Sequence, residues 1–100
     1  MTIIADANLS FFFNDNKKRI YHSGLVVDFS IRKDMFNSGK IEFIDKKVIF
    51  PGENGVKAKI IFAYGELVRP FLKEGSKYIF GEPIFPYGEC LINKILLLGI

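Results

Sequence analysis

Phe50-Pro51-Gly52-Glu53-Asn54-Gly55-Val56-Lys57-Ala58-Lys59-Ile60-Ile61-Phe62 is the stretch that decides the fold. Its first half is turn chemistry. Pro51 fixes φ at about −65° and has no N–H to give a sheet ladder, while Gly52 accepts φ above zero and Asn54 suits a tight bend. Its second half alternates: Val56, Ala58, Ile60 and Phe62 fall on one face, and Lys57, Lys59 and Ile61 on the other. Successive side chains of a strand point to opposite faces, so this alternation predicts a half-buried strand led in by a tight turn.

The same period recurs on both sides. Leu25, Val27, Phe29 and Ile31 alternate with Val26, Asp28 and Ser30. Ile41 and Phe43 alternate with Lys40 and Glu42, and Ala5, Ala7, Leu9, Phe11 and Phe13 mark a first strand. Tyr78–Phe80 is a short strand, and Glu89–Leu97 a last one that is apolar on both faces. Turn residues separate the runs at Asn14-Asp15-Asn16, Asn37-Ser38-Gly39, Lys73-Glu74-Gly75-Ser76 and Pro83–Gly88. Tyr64–Lys73 has room for one helical turn, and Pro70 argues against a longer helix. Six closely spaced strands without a long helix predict an all-β domain, a six-stranded antiparallel barrel. A barrel also removes the exposed edges that would endanger a chain so rich in Phe and Ile.

Composition narrows the field. One hundred residues, 49% of them hydrophobic, suffice for one core but not for a nucleotide-binding domain plus a second domain, so a single domain is expected over residues 1–100. The eleven Phe are expected to fill its interior, with a few left on loops. A net charge of +3 is mildly basic and forms no block of the kind that marks a nucleic-acid tail. One Cys excludes an internal disulfide, and one Cys with one His does not make the usual structural zinc site, so no metal and no cofactor are expected. The start lacks a basic n-region, and the apolar end from Leu91 is interrupted by Asn93 and Lys94 and falls short of the roughly 20 residues of a membrane span. A soluble, cytoplasmic protein with no membrane partner is expected.

Candidate sites are few. Cys90 and His22 are the one nucleophile–base pair the chain offers; against it, Cys90 packs as a small apolar residue of the last strand and no third orienting residue is evident. The eleven acidic residues are scattered, and Asp28 and Glu42 read as outward strand positions, so no enzyme is expected. Lys17, Lys18 and Arg19 follow three Phe residues and form either a phosphate-contacting loop or a solvated turn; Lys57 and Lys59 read as a solvent face. Phe85 and Tyr87, between Pro83 and Pro86, mark either a protein-contact loop or a plug for the barrel end. Tyr64, Leu67, Phe71 and Leu72 are either a core lid or an exposed patch.

Taken in order, the landmarks resemble a known family. Gly24-Leu25-Val26-Val27-Asp28-Phe29 leads an alternating strand, and Gly39-Lys40-Ile41-Glu42-Phe43 is similar to a Gly-Thr-Ile-Glu-Leu strand. Phe50–Asn54 is similar to a Met-Pro-Gly-Asp-Asn turn, Gly75–Glu82 to Gly-Leu-Arg-Phe-Ala-Ile-Arg-Glu, and Gly88–Ile95 to a Gly-led apolar strand. This series resembles the C-terminal (third) β-barrel domain of elongation factor Tu, from about Ala5 to about Gly99.

The resemblance implies a six-stranded barrel and a translation-related setting. The chain also departs from the family. It has no Gly-x-x-x-x-Gly-Lys-Ser/Thr phosphate loop, so GTP hydrolysis is not expected. Where the family carries Gly-Gly-Arg-Thr-Val-Gly toward tRNA, this chain reads Pro83-Ile84-Phe85-Pro86-Tyr87-Gly88, and Val26-Val27 stands where the family has Arg-Pro. The implied role is a non-catalytic, stand-alone module that binds a protein partner. One version is an immunity or regulatory protein engaging a toxin or a translation factor that recognises the elongation-factor barrel. The alternative is an RNA- or tRNA-binding barrel using Lys17, Lys18, Arg19, Lys57 and Lys59.

Overall fold

The computed structural model describes residues 1–13, 19–32 and 35–98. Its elements are β1 (Thr2–Phe11), β2 (Tyr21–His22), β3 (Leu25–Arg32), β4 (Met35–Phe43), β5 (Val48–Ile49), β6 (Val56–Phe62), α1 (Gly65–Val68), β7 (Lys77–Gly81) and β8 (Pro86–Leu98). Six of the strands close an antiparallel barrel in the order β1-β6-β4-β3-β7-β8. The expected six-stranded architecture is therefore the one observed. β2 and β5 add a two-stranded ribbon that the alternation did not announce.

The inward face of each strand is the apolar face of the alternation. Ile3, Ala5, Ala7, Leu9 and Phe11 of β1 face Val56, Ala58, Ile60 and Phe62 of β6, and all nine are buried. Small and large residues complement one another inside, as a narrow barrel requires. The rings of Phe29 and Phe62 cross edge-on at 5.3 Å, and Phe11 meets Phe80 at 5.2 Å. Among the described residues no polar or charged side chain is buried.

Four expectations are corrected. Asn37-Ser38-Gly39 is not a turn but lies inside β4, paired with Phe29, Asp28 and Val27. β1 stops at Phe11, short of the expected Phe13, because the Phe11 N–H donates to Glu53 O and its carbonyl accepts from Gly52 N. Those bonds hand the β6 side of the chain to the Pro51-Gly52 turn, while Phe12 N still donates to Tyr87 O of β8 at 2.9 Å. β8 is not apolar on both faces for want of a pattern. Its alternation changes phase at a bulge: Leu9, Ala7 and Ala5 stand opposite Cys90, Ile92 and Ile95, with Asn93 as the extra residue. The Phe residues do not mostly fill the interior. Phe11, Phe29, Phe43, Phe62 and Phe80 are buried, whereas Phe12, Phe13, Phe36, Phe50 and Phe71 are exposed.

Candidate protein-contact surfaces

Antiparallel pairing defines two ends. β1 runs from the end that carries α1, where Gly65 N donates to Met1 O at 2.9 Å, to the end where Phe11 pairs with Gly88. At the Phe11 end, β7 and β8 are joined by a two-residue loop. Glu82 N donates to Phe85 O at 3.1 Å and Phe85 N to Glu82 O at 3.0 Å, leaving Pro83 and Ile84 at the tip. Pro83 cannot adopt the positive φ of the usual hairpin turns, and the ladder adjusts beside it, with a register shift at Phe80/Gly81 and Gly81 at φ 139°. Ile84 is thereby held 97% exposed.

The base of this hairpin is tied down. The Arg19 guanidinium lies over the Phe85 ring at 5.2 Å and the Tyr87 ring at 4.8 Å. Its Nη1 is 3.9 Å from Glu82 Oε1, which also accepts the Tyr87 hydroxyl at 2.8 Å. The Tyr87 ring lies tilted against Tyr21 at 5.0 Å, and Tyr21 meets Phe11 at 4.7 Å. Burial pushes the Tyr87 phenol above its ordinary pKa, and the bond to Glu82 adds to the shift. Tyr87 is thus a buried residue of β8 that plugs the barrel end, while Phe85 is half-buried above it.

The neighbouring Phe50–Glu53 turn closes at the same end. Glu53 N donates to Phe50 O at 3.3 Å, and Gly52 takes φ 90°, the geometry anticipated for Pro51-Gly52. The Glu53 carboxylate accepts from Phe50 N at 2.7 Å and from Lys46 Nζ at 2.6 Å, and these bonds hold it below the usual carboxylate range. Phe13 lies against Gly52 and is 74% exposed; Phe12 and Phe50 are exposed beside this turn.

The other end is closed by residues 64–76. Val68 and Leu72 turn inward and are buried, while Tyr64, Leu67 and Phe71 turn outward and are exposed. Arg69 N still donates to Gly65 O, after which Pro70 has no N–H to extend the helix. The single helical turn expected here is α1. The Tyr78 hydroxyl accepts from Lys73 N and donates to Phe71 O, both at 2.9 Å. The Arg32 guanidinium lies 4.5 Å over the Phe71 ring. The four aromatic residues singled out in the sequence therefore split between opposite ends: Phe85 and Tyr87 at one, Tyr64 and Phe71 at the other.

The remaining candidates are dispersed. Lys17 and Lys18 lie outside the described residues. Arg19 is engaged with Glu82 and two rings, and Lys59 pairs with Asp6 at 3.0 Å on the outer wall, where Lys57 is exposed opposite Asn8. Cys90 is fully buried in β8 between Leu9 and Tyr78, and burial pushes its thiol up to about 12. His22 is exposed on β2 opposite Val48, so the two are not brought together. Among the described residues no group of His, Cys, Asp and Glu is placed to hold a metal ion, and no helix is long and apolar enough to cross a membrane.

Sequence reasoning missed Ile84, Phe13 and Phe50. Ile84 left a signal: an isoleucine between two closely spaced prolines, where turn residues are expected, cannot be placed in a core. Neither protein-family models nor curated proteins match this chain.

Proposed function

We propose that this chain is a non-catalytic module that binds a protein partner through the Phe11 end of its barrel. The observation that carries it is Ile84, 97% exposed at the tip of a hairpin closed by two backbone hydrogen bonds. A single exposed apolar residue needs no explanation. Here Phe12, Phe13 and Phe50 are exposed at the same end, and an aggregation of apolar groups on fixed turns is the composition of an interface core. Rigid turns also lower the ordering cost of binding.

The non-catalytic part draws on Cys90. Its thiol is buried and protonated at neutral pH, so it offers no thiolate to a substrate. The resemblance to the third domain of elongation factor Tu supplies the biological setting: an immunity or regulatory protein whose partner is a toxin or a translation factor. The RNA-binding alternative is less favoured, because Arg19 and Lys59 already have carboxylate partners.

The test is co-purification from the native host with the wild type and with Ile84→Asp, followed by mass spectrometry. A protein partner should be recovered with the wild type and lost with the variant, an affinity change of about tenfold or more. The variant should melt within about 3 °C of the wild type, because Ile84 buries almost nothing. Recovery of no specific protein, or recovery of RNA with steep salt sensitivity, rejects the protein-binding role.

A further inference from the structure

We propose that the α1 end of the barrel docks an acidic, amphipathic segment of a partner protein. Tyr64 just before α1, Leu67 within it and Phe71 after it all turn outward and are exposed. The barrel has no use for them. Its own end is already plugged by Val68 at 1% and Leu72 at 5% exposure.

The stripe is also preformed. Residues 64–76 are pinned to the wall by Gly65 N to Met1 O, Gly75 N to Ile92 O and Ile92 N to Ser76 O, and by the two bonds of the Tyr78 hydroxyl. A ligand therefore meets a surface that does not need ordering.

Charge selects the occupant. Arg69, Lys73 and Lys77 are exposed and make no ion pair with any described residue, and Arg32 lies over Phe71. The acidic residues of the same segment are engaged. Glu66 holds the Met1 ammonium at 3.2 Å, and Glu74 accepts from Ile95 N at 2.8 Å. An apolar stripe in a cationic frame complements a segment with an apolar face and flanking Asp or Glu. Only three apolar side chains make up the stripe, a footprint for a short segment of chain. Leu67 at its centre offers no ring for base stacking, unlike the platforms of single-strand binders. This site is separate from the Ile84 hairpin and stands whether or not that hairpin binds a protein.

The probe is a synthetic helical peptide of about 16 residues, with Leu along one face and Glu beside it, long enough to hold a helix. It is titrated into the labelled full chain while backbone amide shifts are followed. Saturable shifts at Leu67–Lys73 are expected. Replacing the Glu residues of the peptide by Gln should weaken binding about five- to tenfold at low salt, the sum of a few screened ion pairs. The double variant Leu67→Glu, Arg69→Glu should lose at least about tenfold, and Tyr64→Ser serves if that variant unfolds. Ile84→Asp should leave peptide binding unchanged, which separates this site from the other end. Absence of saturable shifts at this end, equal binding of the Gln peptide, or preferential binding there of oligouridylate or of phosphatidylserine vesicles overturns the assignment.

Discussion

Gly39→Ala tests the barrel interior at its tightest point. Gly39 is buried on β4, and it is not among the glycines that need a left-handed backbone. What it lacks is space: a Cβ there would stand 2.8 Å from Phe29 Cε1, 3.0 Å from Phe62 Cε1 and 3.1 Å from Ile60 Cγ2. Phe29, Phe62 and Ile60 are all fully buried, so none can swing aside into solvent. Two effects oppose each other. Overpacking a core costs about 1–3 kcal/mol, and replacing Gly by Ala inside a strand returns about 0.5–1 kcal/mol of backbone entropy. Overpacking wins, with a net loss of about 1 kcal/mol. A domain of this size unfolds with an entropy of about 0.2 kcal/mol/K, so the melting temperature should fall by about 5 °C. Thermal unfolding followed by circular dichroism reads this directly. Phe29→Leu removes the nearest ring atom, so in the double variant the two losses should sum to at least about 0.5 kcal/mol less than additive. A variant that melts at or above the wild type, or strict additivity with Phe29→Leu, would refute the ring-over-glycine packing.

Gly88→Ala should be harsher, because its Cβ would land on the Ser10 carbonyl oxygen and 3.0 Å from Phe11 Cα, and backbone cannot rotate away. A loss above about 3 kcal/mol is expected, against about 1 kcal/mol for Gly75→Ala, where only φ +83° is strained; equal losses in urea unfolding would contradict the close approach of β1 and β8. The Cys90 thiol, raised from 9.0 to about 12 by burial, stays neutral in the fold while the unfolded chain ionises. Its contribution is therefore complete below about pH 9 and drains away by about 1.4 kcal/mol per pH unit as pH rises toward about 12. Tyr21 and Tyr87, both raised by burial, act in the same direction, so Cys90→Ala should flatten this alkaline decline without abolishing it. Identical slopes for wild type and variant between pH 9 and 10.5 would show that the thiol is not buried. Ser30→Ala should weaken barrel closure by about 1 kcal/mol, since the hydroxyl donates to Ile79 O and accepts from Ile79 N where β3 and β7 otherwise pair only at Asp28–Gly81 and Phe29–Phe80. Hydrogen exchange should accelerate at Ile79 and not in β6.

The barrel was legible wherever alternation kept one phase. β6, and β3 from Val27 onward, bury every second residue, and their reading needed nothing beyond that period. β8 was harder, because the Asn93 bulge shifts its phase and makes one alternating strand look apolar on both sides. The β2–β5 ribbon pairs only Tyr21 with Ile49 and His22 with Val48, too short for any period to show. The surfaces were less legible for a related reason. In Tyr64–Leu72 both faces are apolar, and which face turns inward depends on how the segment is pinned to Met1, Ile92 and Tyr78, none of which is local. Arg19 reads as a free cation in sequence. Only the fold brings it over Phe85 and Tyr87 and beside Glu82.

Closure of the sheet has a consequence for how this molecule is recognised. With β1 paired to both β6 and β8, the barrel itself has no free edge on which a partner strand could add. Contact with the barrel comes through side chains. Parts of the wall are poorly suited to it: Lys59 is paired with Asp6 at 3.0 Å, Lys40 with Glu42 at 3.5 Å, and Ser38 with Asp28 at 3.1 Å, so a ligand over these positions must displace existing bonds. The ends are better suited, since their exposed apolar side chains have lost nothing to internal pairing and gain by leaving water. They also differ. Among the described residues, Arg19 with Glu82 and Lys46 with Glu53 are paired at the Phe11 end, whereas Arg69, Lys73 and Lys77 at the α1 end make no ion pair with a described residue. Two ends of different chemistry do not compete for one ligand. A partner held at Ile84 should therefore leave the acidic peptide bound at Leu67, with its affinity changed by less than about twofold. Displacement of one by the other in a titration would mean that the two surfaces are one.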